Sequence, residues 1–228
     1  MPTPALDHLV VLADSLEQGV AWCEAQLGVT PGPGGEHPLM GTHNRLLRID
    51  SPNFPQAYLE IIAIQPERQP LRAPPLRRWF DMDDAALQAQ LRAQGPQLGH
   101  WVARTDALDA ALVACSARGW ERGPALAASR MTPQGLLQWR ISVRDDGQRL
   151  LGGVLPTLIE WGAVHPTSAM PASGLQLQAL TVQHPQAQAL QAWADALGLQ
   201  GVQWREGPAA LQAQLHTPRG EVTLGSPA

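Results

Sequence analysis

Apolar and polar positions recur along the chain in three similar stretches. The first opens with Leu6-Asp7-His8-Leu9-Val10-Val11-Leu12, an apolar run bounded by Pro4 and Asp14 that reads as a buried strand. Asp14 or Ser15 can cap the helix that follows, Glu17 or Gln18 can close the cap, and Gly28 after Leu27 is a natural stop. Residues 30–44 are dense in Gly and Pro and read as a loop with room for one short strand. Two strands follow at 45–49 and 57–64, around the turn Ser51-Pro52-Asn53.

The second stretch repeats the plan. Residues 98–104 form an apolar strand containing His100, residues 106–118 a helix, and strands follow near 126–131, at 136–144 and at 155–161. Turns are expected at Thr132-Pro133-Gln134-Gly135 and Asp145-Asp146-Gly147. In each copy a His stands six residues before an Asp (Asp14, Asp106) that begins the helix. A third, partial copy has a strand at 175–183, a helix at 185–197 ending at Gly198, and a hairpin over Thr217-Pro218-Arg219-Gly220. It carries Gln178 in the register of His8, so the framework does not itself demand a His there.

The expected fold is therefore α+β: tandem βαβββ modules, with a partial third βαββ module at the C-terminus. The paired modules take residues 5–166, the first about 5–65 and the second about 98–166; the third takes 172–228. Residues 66–97 connect the first two, broken by prolines, with one amphipathic helix at 84–94.

Composition narrows the classes. Hydrophobic residues are 44% and charged residues 16%, enough apolar content for a sizeable core. A net charge of -4 without a basic stripe argues against nucleic acid and anionic membrane as partners. The absence of Lys removes Schiff-base chemistry. Cys23 and Cys115 sit at matched places in the two helices and read as small buried apolar residues. With no secretory leader and no apolar run of about 20 residues, a cytoplasmic protein is expected. There is no phosphate loop, no dinucleotide fingerprint and no nucleophile elbow around Ser129 or Ser142.

The candidate chemistry lies in the strands. Tyr58-Leu59-Glu60-Ile61-Ile62 and Leu158-Ile159-Glu160-Trp161 each place one carboxylate in an apolar strand. A buried carboxylate is costly unless paired, protonated or metal-bound. His8, Glu60, His100 and Glu160 are ligand types for a divalent metal, and imidazole with carboxylate suits Zn, Ni, Mn or Fe. Each has a bland alternative: a structural His at a strand end, or a Glu on the outward face, since a one-residue slip reverses the face. His37, Thr42, His43 and Asn44 fall in the Gly-rich loop, where His37 is an alternative third ligand or a substrate contact. Arg130 suits a substrate carboxylate or phosphate, and Trp139 lines the pocket or the core. His165, His184 and His216 read as surface residues.

A module that opens with His and closes with Glu, used twice, resembles the vicinal oxygen chelate superfamily. Within it, Leu6-Asp7-His8-Leu9-Val10, Gly34-Gly35-Glu36-His37-Pro38, Gly41-Thr42-His43-Asn44 and Tyr58-Leu59-Glu60-Ile61-Ile62 are similar to glyoxalase-like domain proteins. Arg130, Pro133-Gln134-Gly135, Leu137-Gln138-Trp139 and Leu155-Pro156-Thr157-Leu158-Ile159-Glu160-Trp161 extend the likeness over roughly 5–166. The resemblance implies that the tandem βαβββ modules form a curved sheet cradle, and that the chain is a metalloenzyme of lyase or isomerase type acting on a small oxygen-bearing substrate. It puts the metal ligands on His8, Glu60, His100 and Glu160, with Glu60 and Glu160 as the proton-moving carboxylates, and allows a homodimer. The rivals are a metal-free binding protein for a small molecule or an antibiotic, and an Fe(II) extradiol dioxygenase built on His8, His100 and Glu160.

Overall fold

The structure is a computed structural model that describes residues 4–132 and 135–226. The turn expected at Thr132–Gly135 includes Pro133 and Gln134, which lie outside the described residues.

The first stretch folds as β1 (Ala5–Leu12), α1 (Leu16–Leu27), β2 (Glu36–His37), β3 (Thr42–Arg48) and β4 (Tyr58–Ile64). Ser15 caps α1 by accepting from the Gln18 amide, and Gly28 ends it in the left-handed conformation. The second stretch folds as β5 (Gln97–Arg104), α3 (Leu108–Ser116), β6 (Ala125–Thr132), β7 (Gly135–Ser142) and β8 (Thr157–Trp161). Between them lies α2 (Ala85–Gln94), capped by Asp84.

These strands make one eight-stranded sheet in the order β2-β3-β4-β1-β5-β8-β7-β6, a strongly curled open half-barrel. In each module the last strand runs parallel to the first, β4 along β1 and β8 along β5, and the antiparallel pair β1–β5 joins the modules. Alternation of side chains sends Leu9, Val11, Leu59, Ile61, Trp101 and Leu158 to the convex face, against α1 and α3. Val10, Leu12, Ile62, Val102, Ile141 and Ile159 face the concave side.

The C-terminal stretch contains one strand more than its sequence pattern predicts. It runs β9 (Gln176–Gln183), α4 (Ala187–Leu197), β10 (Val202–Arg205), β11 (Ala210–Thr217) and β12 (Gly220–Gly225). Its four-stranded sheet has the order β10-β9-β11-β12, so the strand parallel to the first is the one after the helix, not the last. Leu177, Leu180, Leu190, Trp193 and Leu215 pack into the core beneath the convex face of the large sheet, while Gln178 is exposed.

The connection between modules does not skirt the cradle; it enters it. Trp79, Phe80, Met82, Leu87 and Leu91 join the concave core with Val10, Val102 and Ile141. Phe80 and Asp81 both adopt positive φ, 59° and 58°, a conformation costly for a bulky side chain. Asp81 is held there by its amide on Gly147 O and its carboxylate on Arg149, 2.8 Å away. The Phe80 ring thereby lies stacked on Trp79 and 5.1 Å from His100, dividing the concave face in two.

Candidate functional site

One half of the divided cradle is a cleft of about 40 Å³, lined by His8, His37, Asn44, Tyr58 and Glu60 on the first module's side. Trp79 and Phe80 form one wall, and Trp139, Trp161 and Arg130 come from the second module. It opens into a broader vestibule that shares Leu46, Arg130, Leu137 and Pro166 with it.

The site is built on β1. The β1–β5 register shifts between Leu6 and His8, so Asp7 lies at an irregularity in the ladder. Adjacent residues of a regular strand point to opposite faces; here the side chains of Asp7 and His8 meet, His8 Nδ1 lying 2.6 Å from Asp7 Oδ1. Asp7 is fully buried, and its second oxygen accepts from Trp161 Nε1 at 2.9 Å and contacts His165 Nε2 at 3.0 Å. Burial would raise the Asp7 pKa, but the contacts with His165 and His8 outweigh it and hold the carboxyl well below the usual range. His8 stacks on Tyr58, and its Nε2 lies 3.5 Å from Glu60 Oε2. Burial lowers the His8 pKa, but the bonds to Asp7 and Glu60 outweigh it and raise it to about 9. His8 is an imidazolium between two carboxylates at neutral pH.

Glu60 is fixed from the other side. Asn44 Nδ2 donates to Glu60 Oε1 at 2.6 Å, and Asn44 Oδ1 accepts from the Gly35 amide at 2.7 Å, which sets the amide's orientation. Burial would raise the Glu60 pKa; the His8 contact and Asn44 lower it below the usual value. His37 Nδ1 lies 3.1 Å from Thr42 Oγ1, and Nε2 faces Asn44 Nδ2 at 3.4 Å. An Asn donor toward Nε2 requires Nδ1 to carry the proton, and burial lowers the His37 pKa to about 4. The pocket thus holds one charged and one neutral imidazole. Arg130 crosses the mouth against Gly35, where a Cβ would collide with its guanidinium. Among the described residues no carboxylate pairs with it.

Several expectations need correction. His100 faces the concave side but is sealed behind Phe80, with Nδ1 on Gly153 O at 2.8 Å and Nε2 on Thr157 Oγ1 at 3.0 Å. Glu160 lies on the opposite face of β8, because its neighbours Ile159 and Trp161 point into the cleft. There it pairs with Arg140 at 2.9 Å, which also binds Asp109 of α3. Thr42, His43 and Asn44 belong to β3 rather than to a loop. His165 is not a surface residue; it supports Asp7. Trp139 lines the cleft, 5.6 Å from Trp161.

The four-ligand metal site implied by the resemblance is therefore not assembled. His100 has both nitrogens engaged, Glu160 points away, and among the described residues no three His, Cys, Asp or Glu side chains converge as a cage. The dioxygenase triad of His8, His100 and Glu160 fails for the same reason. The residues do not fit such an ion.

Sequence reasoning missed Asp7, Tyr58, Trp79 and Trp161 as site residues. Asp7 had a local signal, a carboxylate adjacent to the strand's His. Trp79 had none, because its place depends on the connection folding back.

The curved sheet of two paired modules thus carries a cluster of imidazoles and carboxylates in its concavity. The model of the family described as "Glyoxalase-like domain" matches residues 6–198, and the chain belongs to that family. A solved hypothetical protein from Staphylococcus aureus superposes with TM-score 0.57 at 13% identity, over 97% of this chain and 85% of that one. A methylmalonyl-CoA epimerase solved with methylmalonyl-CoA and NH4+ gives TM-score 0.43 at 17% identity, over 75% of this chain and 100% of that one. A single-residue variant of the Streptomyces coelicolor methylmalonyl-CoA epimerase, solved with 2-nitronate-propionyl-CoA, gives TM-score 0.42 at 18% identity, over 70% of this chain and 96% of that one. No curated protein matches the sequence. No helix among the described residues is long and apolar enough to cross a membrane.

Proposed function

We propose that the chain is an enzyme of isomerase or lyase type that moves a proton on the carbon beside a carbonyl of a small organic anion. The observation that carries this reading is His8, held charged between Asp7 and Glu60 inside an aromatic-lined cleft.

The 3.5 Å separation of His8 Nε2 and Glu60 Oε2 leaves the pair open to a substrate wedged beside it. Glu60, a carboxylate at neutral pH, accepts the proton from carbon; the C–H pair moves into the C–C bond. The carbonyl π pair then takes the proton of His8 Nε2, giving an enol. Return of a proton to carbon completes an isomerisation; loss of a leaving group completes an elimination. Asn44 keeps Glu60 in place, and Asp7 keeps the His8 ring aimed at the reacting atoms. Trp79, Phe80, Trp139 and Trp161 exclude water, which strengthens each of these electrostatic contacts. Arg130, a cation at the mouth, takes the substrate's anionic group. No step passes through a metal.

The test follows exchange of α-hydrogen for deuterium by NMR in D2O, over a panel of short 2-oxo acids and their thioesters, with chelator present. Wild type should catalyse exchange on at least one member, and Glu60→Gln should lose it by about a hundredfold or more. Exchange that needs an added divalent ion would overturn the metal-free route. The aromatic lining also supports a second reading, a binding protein without turnover. Quenching of Trp fluorescence by a panel member that shows no exchange would favour it.

A further inference from the structure

The other half of the cradle is a separate small cavity of about 10 Å³ behind Phe80, lined by His100, Arg122, Arg149, Thr157, Trp79 and Ser142 among others. No Asp or Glu side chain lines it. Arg144 and Arg149, which also border it, are neutralised by Asp146 and Asp81. Arg122 is only 4% exposed and has no carboxylate partner among the described residues.

The bonding there leaves donors over. His100 must carry its proton on Nδ1 to give it to Gly153 O, so Nε2 is an acceptor. Thr157 gives Nε2 its hydroxyl proton at 3.0 Å and its amide at 3.1 Å, and its Oγ1 accepts from Arg122 Nη2 at 2.5 Å. His100 is neutral, its pKa lowered well below the usual value by burial and by Arg122 and Arg149. Arg122 Nε and Nη1 are buried without partners, and so is Trp79 Nε1. The two Arg122 atoms are donors on a residue that lines this cavity and not the first cleft, whereas Trp79 borders both, and no acceptor answers them. A buried guanidinium without a counter-charge is expensive, and burial lowers the Arg122 pKa to about 10.

We infer that this second half-cradle is a binding site for one compact monoanion, a halide or a single carboxylate such as formate, held by Arg122. An acceptor-only occupant satisfies the leftover donors and neutralises the only unpaired cation lining the cavity among the described residues. The site is separate from the His8–Glu60 cleft, and its test does not depend on any activity there.

Crystals of the whole chain soaked in sodium bromide should show an anomalous peak within hydrogen-bond distance of Arg122 Nε or Nη1. In solution, bromide and formate should each raise the thermal midpoint saturably, by about 3 °C above sodium gluconate of equal ionic strength. Arg122→Gln should abolish that increment. No peak at Arg122 in the wild type, or an equal shift with gluconate, overturns the inference whether or not the variant folds. A shift with succinate but with neither bromide nor formate would also overturn it, because the anion would then be one end of a ligand reaching in from the other cleft.

Discussion

Glu60 and Thr157 occupy the same position in the two modules. Glu60 lies opposite Val10 in the parallel pair β1–β4, and Thr157 lies opposite Val102 in the parallel pair β5–β8. The antiparallel seam pairs His8 with Val102 and Val10 with His100, so exchanging the modules carries His8 onto His100 and Glu60 onto Thr157. Each His meets that partner: His8 Nε2 meets Glu60 at 3.5 Å and His100 Nε2 meets Thr157 at 3.0 Å. One half thus holds a carboxylate and an imidazolium, the other a hydroxyl, a neutral imidazole and a buried arginine.

Glu160→Gln follows from that register. Glu160 is partly exposed on the outer face and bonded to Arg140, so its charge does not reach the cleft. The variant should keep full proton-exchange activity and change stability by no more than about 1 kcal/mol. A loss of activity comparable to that of Glu60→Gln, in the same NMR assay, would refute the assignment.

Stability should pass through a maximum near neutrality. His8 titrates at about 9 when folded against 6.5 unfolded, so its contribution is complete below 6.5 and is lost as pH rises to about 9. His37 titrates at about 4 when folded, so its contribution is present above 6.5 and is lost as pH falls toward 4. His100, also lowered, acts in the same acid direction. Urea unfolding across pH should show both limbs. His37→Gln should reduce the acid slope by about one proton and leave the alkaline limb unchanged.

Asp7→Asn should cost about 3–5 kcal/mol, because it leaves two histidines and an indole facing a group that cannot carry the compensating charge. It should also flatten the alkaline limb, since His8 loses the first of the bonds that raise its pKa. Retention of that limb in the variant would assign it to other groups.

Gly35→Ala tests Arg130 without touching it. A methyl at position 35 would collide with the tip of the Arg130 side chain, which is flexible enough to swing away. Stability should hardly change, while KM for an anionic substrate should rise about tenfold or more and kcat stay similar. A neutral substrate should show no such rise.

Much of the architecture was legible in the sequence, because strand and helix patterning, caps and turn residues are local. The strand around His8, a cap at Asp14 or Ser15 and the Gly28 stop all follow from residues a few positions apart. The repeat of His8 in His100 was legible too, since both fall at the same step of the same pattern. What a residue faces is decided otherwise. Glu160 looks like the twin of Glu60 by its place in an apolar run, yet the β5–β8 register puts it three positions past Thr157, on the other face. Strand parity has a period of two, so an odd offset reverses the side chain. The meeting of Asp7 with His8 needs an irregular ladder, and the fate of His100 needs the connection at Trp79 and Phe80 to fold into the concavity. Those are contacts between residues tens of positions apart. By itself the sequence determined two modules and the His8 strand; only tertiary packing decided that one half of the cradle holds an acid–base pair and the other a sealed arginine.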